Sequence, residues 1–298
     1  MKNVISIIVT YNGLGDIEKC IKSVQGESSI VVIDNASTDG TSDFVSNNFP
    51  DIKLIALNEN IGFGKANNIG ISYALEKKYE YIFFINQDAY LQQNGICNLV
   101  KSCDPVYGLI SPIHYNFDGS SFDKTFLQVA PRSLLNDLFF NKHLGKVYMT
   151  DFINAAGWLI PSSVLKTIGG FDPLFFVYGE DVNFIQRLKF HEFKIGICPT
   201  VGLYHNSSNN FYSLLKKKDK PGWFIRSMLY QNLANVNTMS LFKLFKFKFY
   251  IYRKLMLSLV KIETDSLSKY IKILKYSNFR KVFYSLRKNK TKGPHYIP

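Results

Sequence analysis

The feature that most constrains the fold of this chain is the alternation of strand-like and helix-like segments over its first hundred residues. Short apolar runs rich in Ile, Val and Phe alternate with segments whose apolar residues have helical spacing. Repeated units of this length favour parallel strands joined by right-handed crossovers, with helices on the faces of the sheet. The pattern predicts an α/β fold with strands at residues 4–10, 30–33, 52–57 and 81–85. Helices are predicted over residues 17–24, 38–45 and 65–77.

Polar residues follow each of these strands at its carboxyl end. They are Tyr11-Asn12, Asp34-Asn35, Asn58-Glu59-Asn60 and Asn86-Gln87-Asp88. The ends of parallel strands meet at one edge of a sheet, and open α/β sheets bind their ligands there. The sequence therefore predicts a nucleotide site at this edge.

Asp88 closes the most apolar of these strands, so a carboxylate would lie at the predicted site. A carboxylate there can hold a hard divalent cation, and Mg²⁺ is commonly shared with substrate phosphates. The alternative is that Asp88 only caps the turn that follows the strand.

The second half of the chain has fewer regular signals. Residues 109–147 are expected to form loops with short elements, and residues 151–161 a strand that carries Trp158. Glu180 and Asp181 begin a helical pattern through Phe190, a position that also suits acidic residues because of the helix dipole. A last strand is predicted at residues 193–197, and residues 201–204 lead into His205.

Charge divides the chain into two parts. Residues 1–210 contain 16 Lys and Arg against 20 Asp and Glu, whereas residues 211–298 contain 20 against 3, for a net charge of +13. Basic and aromatic helices are predicted over residues 223–239, 241–262, 268–276 and 279–288. Such a region fits an anionic membrane surface, or it forms a helical cap with a solvated basic face.

The compartment is predicted from absent signals. The four cysteines follow no metal-ligand spacing and are typical of packing residues in a reducing compartment. The first residues lack a small-residue cleavage site, and no stretch approaches the ~20 apolar residues that span a bilayer. A cytoplasmic protein at the inner face of the membrane is the expectation.

Five motifs, in order along residues 3–207, resemble those of the family-2 glycosyltransferases, and most closely the bacterial rhamnosyltransferase-like branch. The motifs are residues 7–12, 32–40, 60–70, 86–88 and 169–181. The resemblance implies a GT-A fold, a Rossmann-like and mostly parallel sheet, with an inverting mechanism and a nucleoside-diphosphate sugar donor. The expected domains are a catalytic domain at 1–210, with a donor half to about 105 and an acceptor half beyond it, and a basic amphipathic helical region at 211–298.

The resemblance also implies roles for single residues. Asp88 takes the metal-binding position of the family's Asp-X-Asp motif, where this chain has Asn86, and His205 is a further expected ligand of Mg²⁺ or Mn²⁺. Asp181 takes the position of the general base, with Glu180 in support. The residues expected to contact the nucleotide sugar are Thr10, Tyr11, Asn12, Asp34, Asn60, Gly62, Lys65, Asn67, Asn86, Gln87, Asp88, Trp158 and Arg187.

Three functions are weighed. The leading hypothesis is an inverting glycosyltransferase that moves a sugar, with rhamnose as the expected one, to a lipid-linked or saccharide acceptor in bacterial surface polysaccharide assembly. A sugar-phosphate nucleotidyltransferase needs a basic residue in the loop after the first strand, and residues 10–16 have none. A non-enzymatic polyanion or membrane binder leaves Asp34, Asp88 and Asp181 without a role, and no nucleic-acid partner is expected.

Overall fold

A computed structural model of the protein describes residues 3–144, 147–206, 222–261 and 264–298. These residues form a mixed sheet of nine strands with helices on both faces. The strands are β1 (Val4–Thr10), β2 (Ser29–Asp34), β3 (Lys53–Ala56), β4 (Tyr81–Asn86), β5 (Ala89–Leu91), β6 (Tyr107–Asn116), β7 (Tyr148–Thr150), β8 (Gly157–Pro161) and β9 (Lys194–His205). The helices before residue 206 are α1 (Ile17–Val24), α2 (Thr41–Asn48), α3 (Phe63–Glu76), α4 (Gly95–Ser102), α5 (Lys124–Val129), α6 (Arg132–Phe139), α7 (Ser162–Ile168) and α8 (Glu180–Phe190).

The strand order is β3-β2-β1-β4-β8-β6-β9-β5, with β7 paired to β9. The first four strands in this order are parallel, β8 runs antiparallel to both of its neighbours, and β9 is parallel to β6. The carboxyl ends of β1, β2, β3 and β4 therefore share one edge. The pairing of β5 with β9 sets Ala89 opposite His205, which brings the end of β9 to the same edge.

Two hydrophobic clusters lie on the two faces of the sheet. In β1, Ile5 and Ile7 belong to one cluster, whereas Val4 and Ile8 belong to the other. Successive side chains of a strand point to opposite faces, so a strand covered on both sides needs an unbroken apolar run. This is why all seven residues of β1 are buried.

The four predicted strands and three predicted helices of the first hundred residues are confirmed. The predicted strands at 151–161 and 193–197 are confirmed in part, and the second half needs three corrections. Residues 107–116 form the long strand β6, where loops were expected, residues 151–156 are not a strand, and residues 193–197 and 201–204 belong to the single strand β9. The pairing of β6 with β9 shifts register between Cys198 and Gly202, beside Pro199, which has no N–H to donate to the ladder.

The described residues after 206 contain four helices: α9 (Gly222–Leu233), α10 (Leu241–Val260), α11 (Thr264–Tyr276) and α12 (Phe279–Asn289). A third, smaller hydrophobic cluster joins α9, α10 and α12 to Phe175 in the segment before α8. Among the described helices, none combines the length and the apolar character that crossing a bilayer requires. The predicted boundary at residues 210 and 211 lies outside the described residues.

Candidate active site

The ends of β1 and β4 are joined by the side chain of Gln87. Its Oε1 accepts hydrogen bonds from Thr10 Oγ1 at 2.6 Å and from the Tyr11 amide at 2.9 Å. Its Nε2 donates to the Tyr11 carbonyl at 3.3 Å. The Tyr11 ring remains 46% exposed at this edge, so an aromatic face is available to a flat ligand. Gln87 thus holds the loop after β1 in place.

Asp34, at the end of β2, is buried and starts the turn that follows it. Its carboxylate accepts hydrogen bonds from the Ser37 amide at 3.2 Å and from the Ser37 hydroxyl. Asn12 joins this turn to the loop after β1, because its Oδ1 accepts from the Thr38 amide at 2.8 Å and its own amide donates to Ser37 Oγ at 2.9 Å. The structure therefore gives Asp34 the turn-forming contacts that are typical of Asp in loops.

The loop before α3 is held by paired asparagines. Asn60 Oδ1 accepts from Asn35 Nδ2 at 2.9 Å and from the Gly62 amide at 3.0 Å. Gly62 has φ +89°, and a Cβ there would lie 2.4 Å from the Phe176 carbonyl oxygen, so only glycine fits. In the first turns of α3, Lys65 is exposed, whereas Asn67 is buried and donates to the Phe63 carbonyl at 3.0 Å. Of these residues, Lys65 is the one placed to meet an anion at the helix N-terminus.

Three predicted metal-site residues lie together where β4 meets β9. His205 Nε2 lies 3.3 Å from Asp88 Oδ1 and 3.5 Å from Asn86 Nδ2. The Asn206 amide donates to the Asp88 backbone carbonyl at 2.9 Å, which fixes the strand end. Within the described residues no group of three His, Cys, Asp or Glu is placed to hold a metal. One carboxylate, one imidazole and one amide fit a Mg²⁺ or Mn²⁺ ion that takes its other ligands from water and a diphosphate.

The predicted acid pair lies at the N-terminus of α8, after a sharp turn. Tyr178 and Gly179 both have positive φ, at 61° and 93°. Glu180 is only 6% exposed and its Oε2 has no hydrogen-bond partner, whereas Asp181 is partly exposed and its Oδ1 accepts from the Val182 amide at 2.7 Å. Burial, with the neighbouring charge of Asp181, raises the pKa of Glu180 to about 8. Burial also raises the pKa of Asp181.

Tyr178 precedes the acid pair by two residues, and its pKa responds to charges on both the acid pair and the metal-site residues. The pKa of its hydroxyl is raised, first by burial and then by the negative charges of Glu180 and Asp88. Two charges act on one hydroxyl in this way only when both are near it, because Coulomb interactions weaken with distance. Helix α3 packs against the acid pair, since a Cβ at Gly64 would lie 3.7 Å from the Glu180 Cβ. The structure therefore places the acid pair beside α3, the helix that follows the glycine loop.

Two predicted donor contacts are not found, because the residues lie in the interior. Trp158 is fully buried, with its ring centroid 5.7 Å from that of Phe184. Arg187 is also fully buried, and its Nη1 and Nη2 donate to the carbonyls of Ile168 and Gly170, each at 2.6 Å. Its Nε donates to Asn183 Oδ1 at 3.1 Å. Arg187 thus joins α8 to the glycine turn at residues 169–170.

Sequence reasoning assigned no role to Asp172, which is buried and lies eight residues before Glu180 in the chain. Its Oδ2 accepts hydrogen bonds from Ser285 Oγ at 2.5 Å, Asn289 Nδ2 at 2.9 Å and Tyr296 Oη at 3.3 Å. All three partners lie more than a hundred residues further along the chain, so no local pattern links them to Asp172. Tyr178 was the other residue without a role, and its proximity in sequence to Glu180 was the available signal.

Comparisons with known proteins agree with this geometry. The model of the family described as glycosyl transferase family 2 matches residues 6–164. Since this match covers more than half of the chain, the protein belongs to glycosyl transferase family 2. It is a glycosyltransferase, as the resemblance of its motifs implied.

Its similar relatives are named as sugar transferases. The chain is 28% identical over 209 residues to the low-salt glycan biosynthesis hexosyltransferase Agl10 of Haloferax volcanii, covering 67% of this chain and 66% of the relative. It is 25% identical over 207 residues to the dTDP-rhamnosyl transferase RfbF of Shigella flexneri, covering 68% and 69%. The match therefore spans about two thirds of the length of these relatives.

Solved structures share the GT-A fold with this chain. The mannosyltransferase PcManGT from Pyrobaculum calidifontis, in complex with GDP-Man and Mn²⁺, has a TM-score of 0.52 and 18% identity, covering 96% of this chain and 87% of that one. Residues 1–349 of S. aureus TarS also give a TM-score of 0.52 and 18% identity, covering 97% and 89%. The predicted mostly parallel sheet flanked by helices is confirmed.

Proposed function

We propose that the protein is an inverting glycosyltransferase that moves a sugar from a nucleoside-diphosphate sugar to a lipid-linked or saccharide acceptor. The observation that carries this proposal is the contact between the loop before α3 and the segment before the acid pair, in which the Phe63 amide donates a hydrogen bond to the Phe176 carbonyl at 3.1 Å. An acid pair beside the donor edge, with Asp88 at the end of β4, suits a reaction in which the acceptor loses a proton while the leaving group gains charge.

Asp181 is the proposed base. It accepts the proton of the acceptor hydroxyl as that oxygen attacks the anomeric carbon. A base must carry charge, and two adjacent carboxyls, of which that of Glu180 is buried, resist being charged together. Because the pKa of Glu180 is raised to about 8, Glu180 keeps its proton at neutral pH, and the charge of the pair resides on Asp181. The raised pKa of Asp181 brings its basicity closer to the working pH.

The donor is proposed to bind along the edge formed by β1, β2, β3 and β4. The exposed ring of Tyr11 is the proposed contact for the nucleotide base, within a loop that Thr10, Asn12, Asp34 and Gln87 hold in shape. Lys65 and the glycine loop at Gly62 are placed for the diphosphate. Asp88 and His205, with Asn86, are the proposed ligands of Mg²⁺ or Mn²⁺. When bound, such an ion offsets the charge that develops on the leaving diphosphate.

Rhamnose from a dTDP donor is the proposed sugar, and bacterial surface polysaccharide assembly the proposed process. Two similar relatives support this choice by their names: RfbF and the N-acetylglucosaminyl-diphospho-decaprenol L-rhamnosyltransferase of Mycobacterium tuberculosis. We further propose a cytoplasmic location at the inner face of the membrane, with residues 1–210 as the catalytic domain and residues 211–298 as the part that faces lipid.

A screen of nucleotide sugars tests the proposal. Wild-type protein is incubated with dTDP-rhamnose, UDP-hexoses and GDP-mannose, with Mg²⁺ or Mn²⁺, and release of the nucleoside diphosphate is measured. Turnover with at least one donor is expected, and none with any donor would contradict the proposal.

The role of Asp181 is tested by Asp181→Asn. Loss of a positioned base lowers turnover by roughly 10²–10⁴-fold, while the Kd of the donor measured by calorimetry stays within about threefold. Asp151→Asn is the matched control, because that side chain is 93% exposed and pairs with Lys189 on the surface. Wild-type turnover in Asp181→Asn would remove Asp181 as the base.

A further inference from the structure

Helix α10 presents three different faces, and one of them is both exposed and apolar. Leu244, Ile251 and Ser258 are buried at a spacing of seven residues, which is the face turned toward the protein. Successive residues advance by about 100° around a helix, so the most exposed apolar side chains fall within an arc of about 100° on another face, whereas Tyr250 and Leu257, each 43% exposed, lie beyond this arc. The side chains within the arc are Phe242, Phe245, Phe249, Tyr252, Met256, Leu259 and Val260, each between 47% and 78% exposed. We call this set the apolar face of α10.

Cations border the apolar face on the side away from the protein. Lys243, Lys246 and Arg253 are exposed and share the third face of α10. Lys246 Nζ lies 4.4 Å from the centroid of the Phe242 ring, so the ammonium sits at the boundary between the two faces. No Asp or Glu occurs in the sequence between Lys220 and Ile262. The positive charge of this helix is therefore not offset by acidic neighbours along the chain.

Helix α12 continues the same surface. The ring centroid of Phe283 lies 6.1 Å from that of Phe245, which packs the two helices together at this point. Tyr284 is 55% exposed, and the Arg280 guanidinium lies 5.9 Å from the centroid of its ring. The exposed surface thus repeats the pairing of aromatic rings with cations on a second helix.

We propose that the apolar face of α10 inserts into the interface of an anionic lipid bilayer, with Lys243, Lys246 and Arg253 on the lipid headgroups. Helices that lie in a membrane interface place rings and aliphatic side chains at the acyl boundary and cations at the headgroup level. Exposed apolar patches of this size on a protein surface mark interaction sites. The excess of 20 basic over 3 acidic residues in the region 211–298 favours an anionic surface over a neutral or basic partner, and the exposed rings and aliphatic side chains beside the cations suit anionic lipid. This inference rests on the proposed function and deepens it, because it names how the enzyme reaches a lipid-linked acceptor.

Vesicle binding by two triple variants tests the inference. Phe245, Phe249 and Met256 are replaced together by Ser in the first variant. Phe139, Phe140 and Met149 are replaced by Ser in the control, because they are two phenylalanines and a methionine of similar exposure, at 79%, 65% and 57%, far from α10 in the chain. Co-sedimentation with phosphatidylglycerol-containing vesicles is expected to fall at least about 100-fold in the first variant and less than about threefold in the control.

A third variant tests the contribution of the positive charges to vesicle binding. Replacing Lys243, Lys246 and Arg253 by Gln is expected to lower binding to phosphatidylglycerol vesicles by roughly 10–100-fold, and to leave the weaker binding to pure phosphatidylcholine vesicles nearly unchanged. Circular dichroism and thermal unfolding of every variant establish that the fold is kept. Wild-type vesicle binding by the first triple variant would overturn the inference, and so would an equal loss in the control.

Self-association is the competing use of the apolar face. Analytical ultracentrifugation without lipid is expected to give the same mass for wild type and for the first triple variant. A wild-type dimer that the variant abolishes, together with unchanged vesicle binding, would identify the face as an interface between copies. Vesicle binding does not depend on turnover. The binding result can therefore be interpreted even if the nucleotide-sugar screen detects no activity.

Discussion

The two carboxylates of the candidate site are supported by different parts of the chain. Asp88 follows β4 and contacts His205 at the end of β9, so it is held within the central sheet. The segment that ends in Glu180 and Asp181 depends on the C-terminal helices and tail. The Ser227 hydroxyl donates to the Val177 carbonyl at 2.9 Å, and a Cβ at Gly179 would lie 2.8 Å from the Gln231 side chain.

The C-terminal tail contacts the glycine turn at residues 169–170, which precedes the acid pair in the chain. The Gly170 amide donates to the His295 carbonyl at 2.8 Å, and the Gly293 amide donates to the Thr167 carbonyl at 2.7 Å. Together with the hydrogen bonds to Asp172, these contacts attach the glycine turn to residues that carry no family motif. We call the region around Asp88 the donor side and the region around Glu180 and Asp181 the base side. The donor side is organised by the sheet, whereas the base side is organised by the region outside the matched motifs.

Asp88→Ala should have the largest effect and should fall on the donor side alone. Removing the only carboxylate of the proposed metal site is expected to weaken Mn²⁺-dependent donor binding by roughly 100-fold or more. Calorimetric titration of the donor with and without Mn²⁺ measures this. Equal donor affinity in wild type and variant would break the comparison, because Asp88 would then have no donor-side role.

Asp172→Ala should affect the base side and leave the donor side intact. Without the carboxylate, the buried groups of Ser285 and Asn289 lose their acceptor, which is expected to lower the free energy of unfolding by about 1–3 kcal/mol. Turnover should fall while the Kd of the donor stays unchanged. Asp151→Ala, on the surface, is the control for stability and turnover. A weaker donor Kd with normal turnover would reverse the assignment of Asp172.

Glu180→Gln should change how the free energy of unfolding depends on pH, which tests the protonation state of the acid pair. The folded protein keeps the Glu180 proton between the ordinary pKa of 4.5 and the raised value of about 8, whereas the unfolded chain releases it. The folded state therefore binds more protons in this range, and the stability contributed by the neutral acid is lost as pH rises toward 8. Gln does not titrate, so from pH 5 to 8 the variant should lose less unfolding free energy than wild type, by about 1 kcal/mol or more. Chemical denaturation at several pH values measures this, and identical pH profiles would show that Glu180 is charged when folded.

Tyr296→Phe should give the smallest effect. The Tyr296 hydroxyl donates to Asn289 Oδ1 at 2.8 Å and to Asp172 Oδ2 at 3.3 Å. Its loss is expected to lower the free energy of unfolding by about 0.5–1.5 kcal/mol, with a matching small loss of turnover. Tyr284→Phe removes an exposed hydroxyl and serves as the control. A Tyr296→Phe protein as stable as that control would mean that the tail adds little to the base side.

The sequence predicted the donor side well because its signals are local. The apolar run of β1, the turn residues after Asp34 and the loop before α3 each lie within a few residues of the groups they position. The strand β6 was missed because its polar residues, Ser111 and His114, interrupt the apolar pattern. In the fold these two residues satisfy each other, with Ser111 Oγ and His114 Nε2 2.9 Å apart.

The base side was predicted only in part, for a different reason. Glu180 and Asp181 were found by their motif, but Arg187, one turn beyond them, was assigned to the nucleotide sugar. Its burial follows from carbonyls at Ile168 and Gly170, which only the fold brings near. Trp158 was placed wrongly for the same reason, since an indole fits a core as well as a sugar.

The carbonyl of Phe176 has a consequence for motion in this enzyme. It accepts a hydrogen bond from the Phe63 amide at 3.1 Å and leaves no room for a side chain at Gly62. The loop before α3 and the segment before α8 are thus pinned to each other at one atom. We therefore expect donor arrival at this loop and alignment of the base to be coupled through this contact.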